Sequence, residues 1–98
     1  MDTIFSSASN AQKSAIKIIR ISGDCARQTA KIFSFKETKP RVASLRKIYD
    51  ENNNIIDNVI VIYYPKPKTV TGEDVIELQI HGSQIVEKKI YDILSKTV

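Results

Sequence analysis

The sequence predicts an α+β domain with a largely antiparallel sheet, in the element order β-β-α-β-β-β-α. Three observations carry that prediction. Segments 15–22 and 74–81 read as strands, the first rich in β-branched residues and the second alternating with a period of two. Two further segments, after Asp24 and after Ser83, carry apolar stripes at helical spacing. Three strand segments follow one another in the second half of the chain, a run that fits an α+β order better than an alternating one.

Taken in order, residues 3–8 are a short strand candidate, followed by a polar connection over 9–14. Residues 15–22 form the second strand, which Gly23 breaks. Asp24 is a suitable N-cap for a helix over 25–33, with Cys25, Thr29, Ile32 and Phe33 on its core-facing side. A basic loop over 34–40 leads to a third strand, 41–49, and the run Asp50-Glu51-Asn52-Asn53-Asn54 reads as a turn. The fourth strand, 55–64, is apolar on both faces in its second half, which places it centrally in the sheet. Pro65 and Pro67 stop it, and the fifth strand runs over 74–81. Ser83 caps a last helix, whose stripe is Ile85, Val86, Lys89, Ile90, Ile93 and Leu94.

Composition bounds the function without naming it. The chain has 98 residues, the size of one domain, and is 42% hydrophobic and 27% charged, as ordinary globular domains are. Its net charge of +4 is compatible with RNA or an anionic ligand, and equally with a lysine-rich solvated surface. A lone cysteine, Cys25, and the lack of a signal peptide or long apolar run lead to the expectation of a cytoplasmic protein without membrane association.

Two side chains stand out. Arg20 ends a row begun by Ile16 and Ile18 and precedes Ser22-Gly23, where the chain turns into a helix whose amides suit an anion; alternatively it snorkels to solvent. Glu77 shares a strand face with Val75, Gln79 and His81, opposite the face of Ile76, Leu78 and Ile80. Its carboxylate either faces water or accepts from a pair of adjacent donors, such as an arginine or a ligand edge with neighbouring N–H groups. His81, the single histidine, suits a hydrogen-bonded strand end better than a metal site, and Cys25 suits a core position. Glu73 and Asp74 read as turn residues after Gly72. No phosphate-loop motif, no dinucleotide fingerprint and no aromatic pair spaced for RNA stacking is present.

The opening D-T-I-F, I-I-R-I-S-G at 18–23, Pro40-Arg41, T-G-E-D-V-I-E-L at 71–78 and His81-Gly82 together resemble one family. It is the N-terminal domain of the tRNA-modification GTPase MnmE, also called TrmE. The likeness runs in order over essentially the whole chain. It implies a fold similar to the tetrahydrofolate-binding fold of the glycine-cleavage aminomethyltransferase, a β2-α-β3-α unit forming a homodimer by exchange of first strands. It implies that residues 1–98 are a single N-terminal folate-binding and dimerisation domain that binds 5-formyltetrahydrofolate, with Arg20 and Glu77 at the family's folate-contacting positions. The helical and GTPase domains of the family, and with them GTP, Mg and K, have no counterpart in this chain, which is therefore not expected to be an enzyme alone.

The partners the resemblance implies are a second copy, the flavoprotein MnmG (GidA) and, through that complex, tRNA modified at its wobble uridine with a 5-carboxymethylaminomethyl-type group. Departures from the family pattern fall at Gln12-Lys13-Ser14-Ala15, usually a glycine-rich turn, at Ser83, usually glycine, and at Val70, usually aromatic. Two other readings compete: a basic module that contacts RNA directly, and a dimerisation module that binds no folate.

Overall fold

Alternation along the strands produces a sheet with one face for the core and one for other uses. The computed structural model describes residues 4–7, 16–69 and 71–97. The strands are β1 (Ile4–Ser7), β2 (Ile16–Ser22), β3 (Ser44–Tyr49), β4 (Ile55–Tyr64) and β5 (Val75–His81). They form one sheet in the order β1-β2-β5-β4-β3, and every pair of neighbours is antiparallel. The helices are α1 (Thr29–Ile32) and α2 (Gln84–Thr97). The domain is thus α+β in the predicted order, with β4 interior and β5 in the middle.

Ile19 and Ile21 of β2, Ile76, Leu78 and Ile80 of β5, Val59 and Val61 of β4 and Ile48 of β3 are buried on the core face. Ala26, Ala30 and Phe33, together with Ile90, Ile93 and Leu94 of α2, complete the same core. Each such aliphatic side chain contributes roughly 1.5–3 kcal/mol by leaving water. Lys17 also lies on this face and is only 6% exposed. Its ammonium meets Glu87 Oε1 of α2 at 3.1 Å, so an ion pair ties the helix to the sheet.

Several boundaries differ from expectation for local reasons. The helix expected over 25–33 is a 3-10 turn, Ala26–Gln28, followed by the single α turn of α1. The Ala26 N–H donates to Gly23 O and the Gln28 N–H to Cys25 O, tight i to i+3 closures that begin directly at the strand end. Cys25, not Asp24, occupies the cap position, and no side chain caps it. The segment ends where Ser34 adopts φ 57° and the Phe35 N–H reaches back to Ala30 O. The strand expected from residue 41 starts only at Ser44, because Arg41 has φ 62°, which no extended strand accommodates.

Other expectations hold. The turn after β3 is organised by Asp50, whose Oδ1 accepts from the Asn52 and Asn54 amides at 2.8 and 2.9 Å, with Asn53 left-handed at φ 62°. The Asn54 amide is the main cause holding the Asp50 carboxyl below its ordinary range. Ser83 Oγ accepts from the Val86 N–H at 3.4 Å, the capping role expected of it. Ile85, expected in the buried stripe, is instead 75% exposed, because the packed side of α2 is set by Ile90, Ile93 and Leu94. The expected 9–14 connection, Gln12-Lys13-Ser14-Ala15 and Val70 lie outside the described residues.

Candidate functional site

Antiparallel pairing of β2 with β5 places Arg20 directly opposite Glu77. Arg20 Nε donates to Glu77 Oε1 at 3.2 Å. Gln79, two residues along β5 and so on the same face, donates from Nε2 to Glu77 Oε2 at 3.1 Å. Ile62 of β4 flanks Glu77 on its other side. Glu77 is only 6% exposed, whereas the Arg20 side chain is 44% exposed. The water-facing alternative for Glu77 is therefore overturned: a flanking strand on either side leaves this carboxylate in a nearly closed, hydrogen-bonded position.

The pair lies in a cleft of about 350 Å³, lined by Arg20, Arg41, Tyr64, Lys68, Thr69, Val75 and Glu77. One wall is built by Arg41. Its N–H donates to Tyr63 O at 2.7 Å, which fixes the turn before β3 against the end of β4. Its Nη2 donates to Lys68 O at 2.6 Å, and its guanidinium carbon lies 5.7 Å from the centre of the Tyr64 ring. The loop following β4 is held in turn by Thr69 Oγ1 donating to Glu73 O at 2.7 Å and by the Ser22 and Thr71 hydroxyls 2.6 Å apart. Gly72 turns the loop at φ 79°, a conformation that favours glycine.

Chemically the cleft offers a carboxylate floor, a phenol ring and three cationic side chains, Arg20, Arg41 and Lys68. A carboxylate has about four acceptor positions, of which Arg20 and Gln79 use one on each oxygen. A carboxylate held by one donor on each oxygen keeps capacity for further donors, such as a ligand edge with adjacent N–H groups. Of the amides beside Ser22-Gly23, that of Gly23 donates to Asp74 O and that of Ala26 to Gly23 O.

The remaining singled-out residues have structural partners. His81 Nδ1 lies 2.7 Å from Asp57 Oδ1, and the His81 N–H donates to Asp57 Oδ2, as expected of a hydrogen-bonded strand end. Asp74 Oδ1 accepts from the Lys66 N–H at 3.0 Å and from Tyr63 Oη at 3.3 Å, which makes it a loop organiser. Burial, then the charge of Asp74, pushes the Tyr63 phenol above its ordinary pKa. Cys25 is half-buried, and no cluster with metal-ligand composition occurs among the described residues. Arg41, Tyr64, Lys68 and Thr69 carry no binding signal of their own in the sequence. The alternating prolines and lysines of 65–68 signal a loop, but only the fold brings that loop to Arg20 and Glu77.

The family described as GTP-binding protein TrmE N-terminus matches residues 3–98. The chain belongs to this family. It is 49% identical over 96 residues to a tRNA modification GTPase MnmE of Wolbachia sp. subsp. Drosophila simulans (strain wRi), covering 97% of this chain and 22% of that protein. With the protein of the same description from Anaplasma phagocytophilum (strain HZ) the identity is 42%, over 95% of this chain and 21% of the relative. With that of Sulfurovum sp. (strain NBC37-1) it is 44%, over 83% and 18%. The chain thus spans about a fifth of the length of these relatives.

Proposed function

We propose that residues 1–98 are the folate-binding and dimerisation domain of a tRNA-modification GTPase, taking 5-formyltetrahydrofolate or a related tetrahydrofolate in the Arg20–Glu77 cleft. The observation that carries the reading is Glu77 itself: a nearly buried carboxylate, held by Arg20 on one oxygen and Gln79 on the other, among the residues lining a cleft. A pterin edge presents an exocyclic amine and a ring N–H side by side, the complement of that carboxylate. Arg20 supplies further donors for carbonyl oxygens of the same ligand, since Nε is one of five on a guanidinium.

The chain belongs to the TrmE N-terminal family, which supports a parent protein that hydrolyses GTP in a separate domain holding GTP, Mg and K. That parent would act with the flavoprotein MnmG (GidA) on the wobble uridine of certain tRNAs in the cytoplasm, the modification being of the 5-carboxymethylaminomethyl type. This chain contributes the folate and a homodimer contact, the latter through exchange of β1. No helix among the described residues is long and apolar enough to cross a membrane.

Calorimetric titration with 5-formyltetrahydrofolate, beside titration with tRNA at low and at physiological ionic strength, tests the reading. Saturable folate binding with little tRNA signal is the expected result. A steep salt dependence with tRNA and no folate signal would replace it with direct RNA contact. Silence with both would leave a dimerisation module.

A further inference from the structure

The cleft has a charge imbalance that a pterin does not use. It is lined by three cations and a single carboxylate, and Arg20 already neutralises that carboxylate. Arg41 and Lys68 are left at the exposed side of the cleft, and both are exposed residues. Arg41 is not a loose surface side chain. Its backbone is fixed at φ 62° by the bond to Tyr63 O, its Nη2 by Lys68 O, and its plane lies by the Tyr64 ring. A held guanidinium loses little freedom on meeting a carboxylate, which makes it an effective anion receptor.

Size sets what that receptor meets. A cleft of about 350 Å³ is at the small end of ligand sites, which run from about 300 to 1,000 Å³. It accommodates a bicyclic head on Glu77, while the rest of a folate must leave past the rim. We propose that Arg41 and Lys68 form a subsite for the anionic tail of folates, and that the domain prefers folates bearing several γ-linked glutamates to the monoglutamate. The inference rests on the folate reading above. Each added glutamate brings one more carboxylate past the rim cations, so the preference is electrostatic and weakens with salt.

The test compares 5-formyltetrahydrofolate as its monoglutamate and its triglutamate by calorimetry, at low and at physiological ionic strength. The triglutamate should bind about tenfold tighter at low ionic strength, equivalent to ~1.4 kcal/mol, and the ratio should shrink as salt rises. Lys68→Met and Arg41→Gln should each bring the ratio toward one, whatever they do to the monoglutamate itself. Lys68→Met serves where Arg41→Gln disturbs the loop that Arg41 holds, and thermal melting separates the two effects. Equal affinities for the two ligands in the unaltered chain overturn the tail subsite while leaving the folate reading intact. A preference that survives both substitutions overturns the assignment to these residues. Failure of both ligands to bind removes the folate reading, and the subsite with it.

Discussion

Glu77 and Glu73 lie four residues apart in one motif, and neutralising them should have different results. Glu77 is nearly buried on the cleft floor; Glu73 belongs to the loop, where its carbonyl accepts from Thr69 Oγ1. A hydrogen bond to a charged group is worth about 1.5–3 kcal/mol, and an amide in place of the carboxylate also turns one acceptor into a donor facing a donor. Glu77→Gln should therefore weaken 5-formyltetrahydrofolate binding at least about tenfold, and Glu73→Gln less than about twofold. Calorimetry on both variants, with a melting curve to show that each is folded, checks this; equal behaviour would remove Glu77 from the pocket. Arg20 and Glu77 were each visible in the sequence, one as a charge ending an apolar row and the other as a charge inside a strand. That they are partners was not visible, because alternation fixes which face a side chain takes but not which strand lies beside it. Arg41 was hidden for a different reason. Its role depends on a left-handed backbone, which an arginine does not advertise.

At the scale of elements, α2 is attached to the sheet by apolar burial and by the Lys17–Glu87 pair. Removing one partner of a mostly buried pair leaves a charge without compensation, at a cost of about 3–5 kcal/mol when burial is complete. Glu87 keeps 20% of its side chain exposed, so the cost here should be lower, about 2 kcal/mol. Glu87→Ala should lower the melting temperature clearly, whereas the double change Lys17→Met with Glu87→Leu, which replaces both charges by apolar groups, should be neutral or stabilising. Paired melting curves settle it, and a loss in the double variant as large as that of Glu87→Ala would show that the pair itself is strongly favourable. The long elements were legible from sequence because periodicity accumulates over many residues: β4, β5 and α2 fall within a residue or so of expectation. The short helical segment was not. Over so few residues a 3-10 turn and an α turn bury nearly the same side chains, and Ala26, Thr29, Ala30 and Phe33 face the core through both.

At the scale of the whole molecule, β1 is the weakest attachment: four residues, at one edge, bonded only to β2. A short edge strand separated from the next by residues 8–15 suits exchange between copies, because the partner's strand makes the same bonds. The chain should therefore be a homodimer by light scattering at high micromolar concentration. Deletion of the first eight residues should abolish association; a deleted chain that still dimerises would assign the contact to another surface.

The register of that edge has a further meaning. Ser6 of β1 pairs with Arg20 of β2, so the strand that one copy would lend another runs beside the guanidinium that holds Glu77. If the copies exchange β1 and the cleft takes a folate, any coupling between association and occupancy is reciprocal, each biasing the other by the same factor. Where that coupling is positive, dilution would act as an antagonist of the ligand, and the ligand as a brake on the exchange of subunits.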